Sequence, residues 1–351
     1  MRGRMAEERE AYGRPRHRVK EVGFDATGQA LQHRAVPVAK RRAFLSGLAA
    51  ASAVAAAPRS DAAASRLPLA FSTLGCPTWD LTRILAEGAR LGYAAIELRG
   101  LQGEMDLVKR PEFSTELAET RRRFADHGLA IAGLGASSRM HEADPTTRAT
   151  QLDEGRRFID LARALGAPYV RVFPDKLVAG EPREKTIVRI VEGLRTLGEH
   201  AQGSGVTVLL ESHGDFTRSP DLREILTGAG LPTVALLWDA HHTVVSGKES
   251  PEETWKALGA FVRHTHLKDS RPEGDGIRYV LTGEGAVPVR ATVQVLVDNG
   301  YKGYFCFEWE KKWHPQIEEP EVALPHFARV MTEWGQVLKY HIRSPRSPRT
   351  D

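Results

Sequence analysis

From Leu67 onward the chain alternates short apolar runs with amphipathic segments, and the alternation continues to its last helix. LPLAFSTLG, YAAIEL, LAIAGLGA, PYVRVF, VTVLLE, TVALLWD, FVRHTHLKD and GYFCFEWE read as eight buried strands. Helical segments follow each of them, from TWDLTRILAEGARLG to EPEVALPHFARVMTEWGQVLKYHI. Several close on a glycine (Gly92, Gly128, Gly166), and two open on a Ser-Pro pair, at Ser219 and Ser250. β-rich runs alternating with helices imply βαβ units and a parallel sheet. Eight units over residues 67–343 predict an α/β chain folded as a single-domain (β/α)8 TIM barrel. A doubly wound sheet more often has fewer strands and a Gly-rich phosphate loop after the first. No G-x-G-x-x-G or Walker A pattern is present.

The rest of the chain reads differently. Residues 1–39 are basic and lack hydrophobic periodicity, so they are expected to be a disordered extension. Lys40-Arg41-Arg42-Ala43-Phe44-Leu45 opens a mildly apolar, Ala-rich stretch that ends in small residues, at Ala57 or Ala64. Basic, apolar and small-residue parts in that order form an export signal. The paired arginines followed by Phe-Leu resemble the twin-arginine kind, so residues 40–66 are read as signal and linker, with a periplasmic or otherwise exported destination. The twin-arginine export machinery is then a partner. The stretch is too short and too weakly apolar for a stable membrane span. Residues 344–351, SPRSPRTD, are expected to be a disordered tail. The net charge of +4 owes much to the first 42 residues and makes no case for nucleic acid. Two cysteines exclude a disulfide scaffold and a Cys-based zinc site. Cys76 and Cys306 fall near the first and last strands, neighbours in a closed barrel, so a disulfide is conceivable if their levels match.

In such a barrel the active site lies at the C-terminal strand ends. Glu211, Asp239, His266 and Glu308 occupy the ends of strands five to eight, so they can converge on one ion. Three carboxylates and an imidazole suit one divalent ion: Mn2+, Mg2+, Co2+ or Zn2+. Without it, the acids would repel and raise one another's pKa. Glu97 holds the matching place on the second strand, and strand parity puts His264 and Lys268 on the side of His266. Candidates for contacting substrate are Glu97, His141, His213, His242, Lys268 and Arg271. Lys268 also has a salt bridge to Asp269 or to a ligand carboxylate as its alternative. Arg271 and Glu273 lie in a Pro/Gly-containing loop suited to a lid, and His242 on the loop leaving strand six. Trp79, Phe216, Trp309 and Trp313 lie near strand ends, as pocket walls or plain packing.

With these residues in view, the chain resembles a known family. IEL, DPTTRATQLDEGRRFIDLARALGAPYVRV, LLES, WDAHH, HTHLKDS, GEGAVPV and GYFCFEWE are similar to the sugar phosphate isomerase/epimerase family, within the xylose-isomerase-like TIM barrel superfamily. The likeness runs over roughly residues 68–340. It implies that Glu211, Asp239, His266 and Glu308 hold the metal. It also implies that Glu211 and Glu308 are catalytic, moving a proton at the carbon beside a carbonyl through a metal-stabilised cis-enediolate. The expected substrate is a free sugar, keto-sugar or polyol derivative, since an export signal and the lack of an Arg/Gly cluster disfavour a phosphate. A lyase or dehydratase on the same metal scaffold is the first alternative, and a non-catalytic carbohydrate-binding barrel the second. Members of the family are often dimers or tetramers, which leaves a homo-oligomer open.

Overall fold

The computed structural model describes residues 66–343. The expected extension, export signal and tail lie outside the described residues. In chain order the elements are β1 (Leu69–Ser72), α1 (Leu81–Arg90), β2 (Ala95–Leu98), α2 (Leu117–Asp126), β3 (Ala130–Arg139), α3 (Pro145–Leu165), β4 (Tyr169–Phe173), α4 (Arg183–His200) and β5 (Thr207–Glu211). There follow α5 (Ser219–Ala229), β6 (Val234–Asp239), α6 (Ala240–Val245), α7 (Pro251–Leu258), β7 (Val262–Leu267), β8 (Asp269–Glu273), β9 (Gly276–Val280), α8 (Val289–Asp298), β10 (Phe305–Phe307) and α9 (Pro320–Arg343). Eight parallel strands close in the order β1-β10-β7-β6-β5-β4-β3-β2, the TIM barrel of one domain that the alternation predicts.

Local chemistry sets the helix ends. Asp80 and Asp144 cap α1 and α3, accepting from Arg83 N and Thr147 N at 2.8 Å. Ser250 and Glu253 form a reciprocal capping box at the start of α7. Strand parity divides the side chains. One set, including Phe71, Ile96, Val170, Leu210, Trp238 and Phe307, packs outward against the helices. The other points inward, where the small residues Ala70, Ala95, Ala132 and Cys306 and the patch Leu209, Ala235 and Leu237 fill the barrel. Above that apolar filling the inward positions become charged. Cys76 and Cys306 are both free and buried, so the conceivable disulfide is not formed; Cys306 pairs in register with Ala70 on β1, six residues before Cys76.

Three details differ from the sequence reading. Strand six is followed by two helices, and His242 sits on the first of them, α6, rather than on a loop. The chain before α2 forms short 3-10 turns at Leu107–Lys109 and Pro111–Phe113, so the helix starts later than its polar pattern suggests. The loop carrying Arg271 is an antiparallel hairpin, β8–β9, running straight on from β7. Asp269 is the reason the chain can turn there. Its carboxylate accepts from the backbone N–H groups of Ser270 (2.8 Å), Gly283 (2.9 Å), Gly285 (3.0 Å) and Val287 (3.1 Å), tying the GEGAVPV segment to the end of β7. Gly285 is required, because a Cβ there would lie 2.1 Å from Asp269 Oδ1. Asp269→Ala orphans four backbone donors and should lower stability by about 3 kcal/mol or more. A urea denaturation curve checks this; an unchanged midpoint would mean that water replaces the carboxylate.

Candidate metal centre and active-site cavity

Glu211, Asp239, His266 and Glu308 come together at the C-terminal end of the barrel. Asp239 and Cys306 are both in register with His266, which puts Glu308 two residues above that level. All four side chains are buried, and one donor atom from each lies within 4.8 Å of the others. His266 Nδ1 is 3.1 Å from Glu211 Oε1, 3.1 Å from Glu308 Oε2 and 3.8 Å from Asp239 Oδ2. Its other nitrogen, Nε2, is 2.9 Å from Glu97 Oε2, and that oxygen also meets His264 Nε2 at 3.0 Å. A carboxylate behind a histidine holds the proton on the far nitrogen and turns the near lone pair to an ion.

Cations complete the cluster. Arg171 Nε lies 3.0 Å from Glu211 Oε2. Lys268 Nζ lies 2.5 Å from Asp239 Oδ2 and 2.9 Å from Glu310 Oε1, and also bonds Glu308 Oε2. Burial works to raise the Glu308 carboxyl, but His266 and Lys268 overcome it and hold it well below the usual carboxylate range. Burial likewise opposes charge on Lys268, yet its three acids keep it charged. Five buried acids (Glu97, Glu211, Asp239, Glu308, Glu310) stand against three buried bases (Arg99, Arg171, Lys268) and a His266 that the acids favour in its charged form; were an ion to displace that proton, two negative charges would remain. That surplus, with three carboxylate donors and one imidazole nitrogen, fits a divalent ion. A deeper set, Glu97, His264, His266 and Cys306, also clusters. There the Glu97 oxygen is already taken by both imidazoles, which makes it a support for His266.

A cavity of about 170 Å3 opens on the cluster, lined by Glu211 and Glu308 and, around them, by Arg99, Arg171, Phe173, His213, His242, Tyr279, Glu310 and Trp313. Larger hollows of about 630 Å3 and 420 Å3 lie beside α7 and below the barrel, far from any such convergence of acids and imidazoles. Of the substrate candidates, His213 and His242 reach the cavity, their rings 5.1 Å apart. Burial and then Lys268 push His242 down to about 3, so it is a neutral imidazole 3.3 Å from Asp239 Oδ2. His213 is raised: Asp175 Oδ1, 3.5 Å away, outweighs the burial that opposes its charge. Glu97 lies behind His266, and Lys268 lies among the ligand carboxylates rather than on the cavity surface. Arg271 is exposed on the β8–β9 hairpin, and His141 sits 3.9 Å from Glu142, off the cavity wall. Trp79, Phe216 and Trp309 are packed inside, whereas Trp313 stands half-exposed at the mouth.

Sequence reasoning missed Arg99, Arg171, Phe173, Tyr279 and Glu310. Some of the signals were present. Arg171 is a lone charge inside the apolar run PYVRVF, Arg99 shares the parity of Glu97, and Glu310 that of Glu308. Tyr279 had no such signal, because the hairpin carries it.

The fold and this site define a TIM barrel with a buried carboxylate–imidazole cluster, a candidate metal centre, at its strand ends. The chain belongs to the xylose isomerase-like TIM barrel family, whose model matches residues 85–332. It is similar to fructoselysine 3-epimerase of Shigella flexneri, 26% identical over 275 residues that make up 74% of this chain and 97% of that one. It is also similar to an inosose dehydratase of Clostridium botulinum, 26% identical over 153 residues; the match spans 39% of this chain and about half (49%) of that protein. Among solved structures, the IOLI protein with a bound zinc atom matches with a TM-score of 0.61 at 20% identity, covering 79% of this chain and 98% of that one.

Glu97→Gln leaves the four donors in place but loosens the grip on His266. Divalent-ion affinity, measured by chelator competition, should fall about 10–100-fold with the fold unchanged. Equal affinity would show that packing alone orients the imidazole.

Proposed function

We propose that the protein is a divalent-metal-dependent isomerase or epimerase that moves a proton at the carbon beside a carbonyl of a sugar, keto-sugar or polyol derivative. The observation that carries this reading is the pair of ligand glutamates, Glu211 and Glu308, on one small cavity. Bound at the four donors, the ion would polarise the carbonyl and stabilise the negative charge that develops when the neighbouring proton leaves. Arg171 and Lys268 keep the two glutamates ionised, so each starts as an acceptor. One takes the proton, and the other, after taking up a proton from water, returns one to the carbon. The epimerase relative, matched along nearly its whole length, supports this choice.

One observation favours a second reading, a dehydratase. His213 reaches the cavity without being a metal donor, and Asp175 favours its charged form, which suits a group that protonates a departing hydroxyl. A dehydratase relative is in keeping with it. A non-catalytic sugar-binding barrel would have no use for the ligand glutamates.

The test begins with the metal content of the purified protein, with Glu211→Gln as control. About one ion per chain is expected, lost in the variant. Keto-sugars are then incubated in D2O. Deuterium incorporation with the formula otherwise kept identifies an epimerase or isomerase, and loss of water a dehydratase. Glu308→Gln should lower kcat by about 100–10,000-fold with the fold intact. A fully active variant removes the acid–base assignment, and a protein that takes up no ion leaves the binding reading.

We also propose that residues 1–66 direct export through the twin-arginine route, on the paired arginines at Arg41 and Arg42 and the apolar stretch after them. Fused to a reporter, this segment should carry it out of the cytoplasm in the folded state. A reporter that stays inside refutes the assignment.

A further inference from the structure

Arg99 and Arg171 lie side by side on the cavity wall. Arg99 follows β2, Arg171 belongs to β4, and β3 runs between them. Gly135 of β3 makes room: a Cβ there would lie 2.6 Å from Arg99 Cδ and 2.8 Å from Arg171 Nη2. Both side chains are more than nine-tenths buried, with residue exposures of 7% and 3%. Their partners differ. Arg171 donates to Ala136 O at 2.9 Å, pairs with Glu211 and covers the Phe173 ring. Arg99 donates to Gly135 O at 3.4 Å, and among the described residues no carboxylate oxygen lies within 4.0 Å of its guanidinium. A guanidinium carries five N–H donors in a fixed fork. Burial and Arg171 oppose that charge, and Glu154, Glu308 and Glu211 favour it from beyond pairing distance. A buried fork on a cavity wall that pairs directly with no acid is one that a bound anion satisfies.

We infer that the substrate carries a carboxylate, gripped by Arg99 with Arg171 alongside it. The inference rests on the metal-dependent reading above and narrows it. The substrate class becomes a small hydroxylated acid, such as a sugar acid or a polyhydroxy keto acid, instead of a neutral sugar. With a divalent ion bound the buried charges balance, so a carboxylate adds one negative charge to the pocket. A phosphate monoester adds close to two and fits less well. With its acid end at the arginines, the rest of so small a ligand lies toward Glu211 and Glu308, which line the same cavity.

Calorimetric titration of the Mn2+-loaded protein with D-glucuronate, D-gluconate, D-glucose and D-glucose 6-phosphate tests this. At least one of the two acids should bind about tenfold or more tighter than glucose, the weight of one charge-assisted contact. Arg99→Met should lose that margin while keeping its ion. Glucose binding as tightly as the acids, glucose 6-phosphate binding tighter than both, or neither acid binding would each overturn the inference. So would an unchanged margin in a folded Arg99→Met. The wild-type comparison decides the matter even if the variant does not fold. Metal content and exchange in D2O are read on the same preparation. An ion-bearing, exchange-competent protein that ignores the acids sinks the carboxylate alone, whereas a protein without an ion sinks both readings.

Discussion

Glu97, Glu211, Asp239, Glu308 and Glu310 are buried within one end of a parallel barrel, and their mutual repulsion has to be answered by everything around them. Like charges in a low-dielectric interior raise one another's pKa until some take up protons. Here fixed cations prevent most of that. Lys268 spans Asp239, Glu308 and Glu310, and Arg171 holds Glu211. The imidazoles of His264 and His266 share Glu97. What remains unanswered matches a divalent ion in sign and size. An ion at the candidate metal centre would let the remaining acids stay ionised and close together, and the cations limit how many charges it would have to balance.

The scaffold that holds these groups follows from strand parity. His264 and His266 on β7 and Lys268 just after it share the inward side, so one stretch of chain supplies a support, a candidate ligand and a counter-charge. Asp269, on the other parity, leaves the interior and instead gathers four backbone N–H groups from the β8–β9 hairpin and the segment after it. The H-x-K-D spacing thus does two separate jobs. Its first and third residues belong to the electrostatics of the site, and its fourth fixes the loop that brings Tyr279 onto the cavity.

The barrel was legible because apolar runs alternate with amphipathic helices eight times, so local pattern and global fold agree. The convergence of Glu211, Asp239, His266 and Glu308 was legible because each is polar at the end of an apolar run. Legibility failed where position depends on tertiary contact. At Lys268 the sequence leaves a substrate contact and a salt bridge to a ligand carboxylate both open, and only tertiary contact decides for the three acids that hold it beneath the cavity. Arg271 looked like a lid residue because Pro and Gly surround it, yet the hairpin register turns it to solvent. Arg99 and Arg171 are far apart in sequence, so the absence of a local Arg/Gly cluster concealed a pair that β3 brings together.

Which reaction the centre performs depends on groups that are not ligands. An epimerase needs two proton carriers, and the ligand glutamates supply them. A dehydratase also needs a donor for the leaving hydroxyl, held in place outside the metal set. His213 has that kind of support. Asp175, its partner, adopts a left-handed backbone at φ 68, and its carbonyl lies so near Gly214 that a Cβ there would sit 1.9 Å away. Asp215 N donates to Asp175 O at 2.7 Å, and Asp215 Oδ2 accepts from Leu177 N at 2.8 Å. The segments after β4 and β5 are thereby locked to each other directly under His213. Strained backbone of this kind costs on the order of 1–3 kcal/mol and persists where the surroundings fix it. Under the proposed function the two readings diverge at His213, while the candidate metal centre below would serve both.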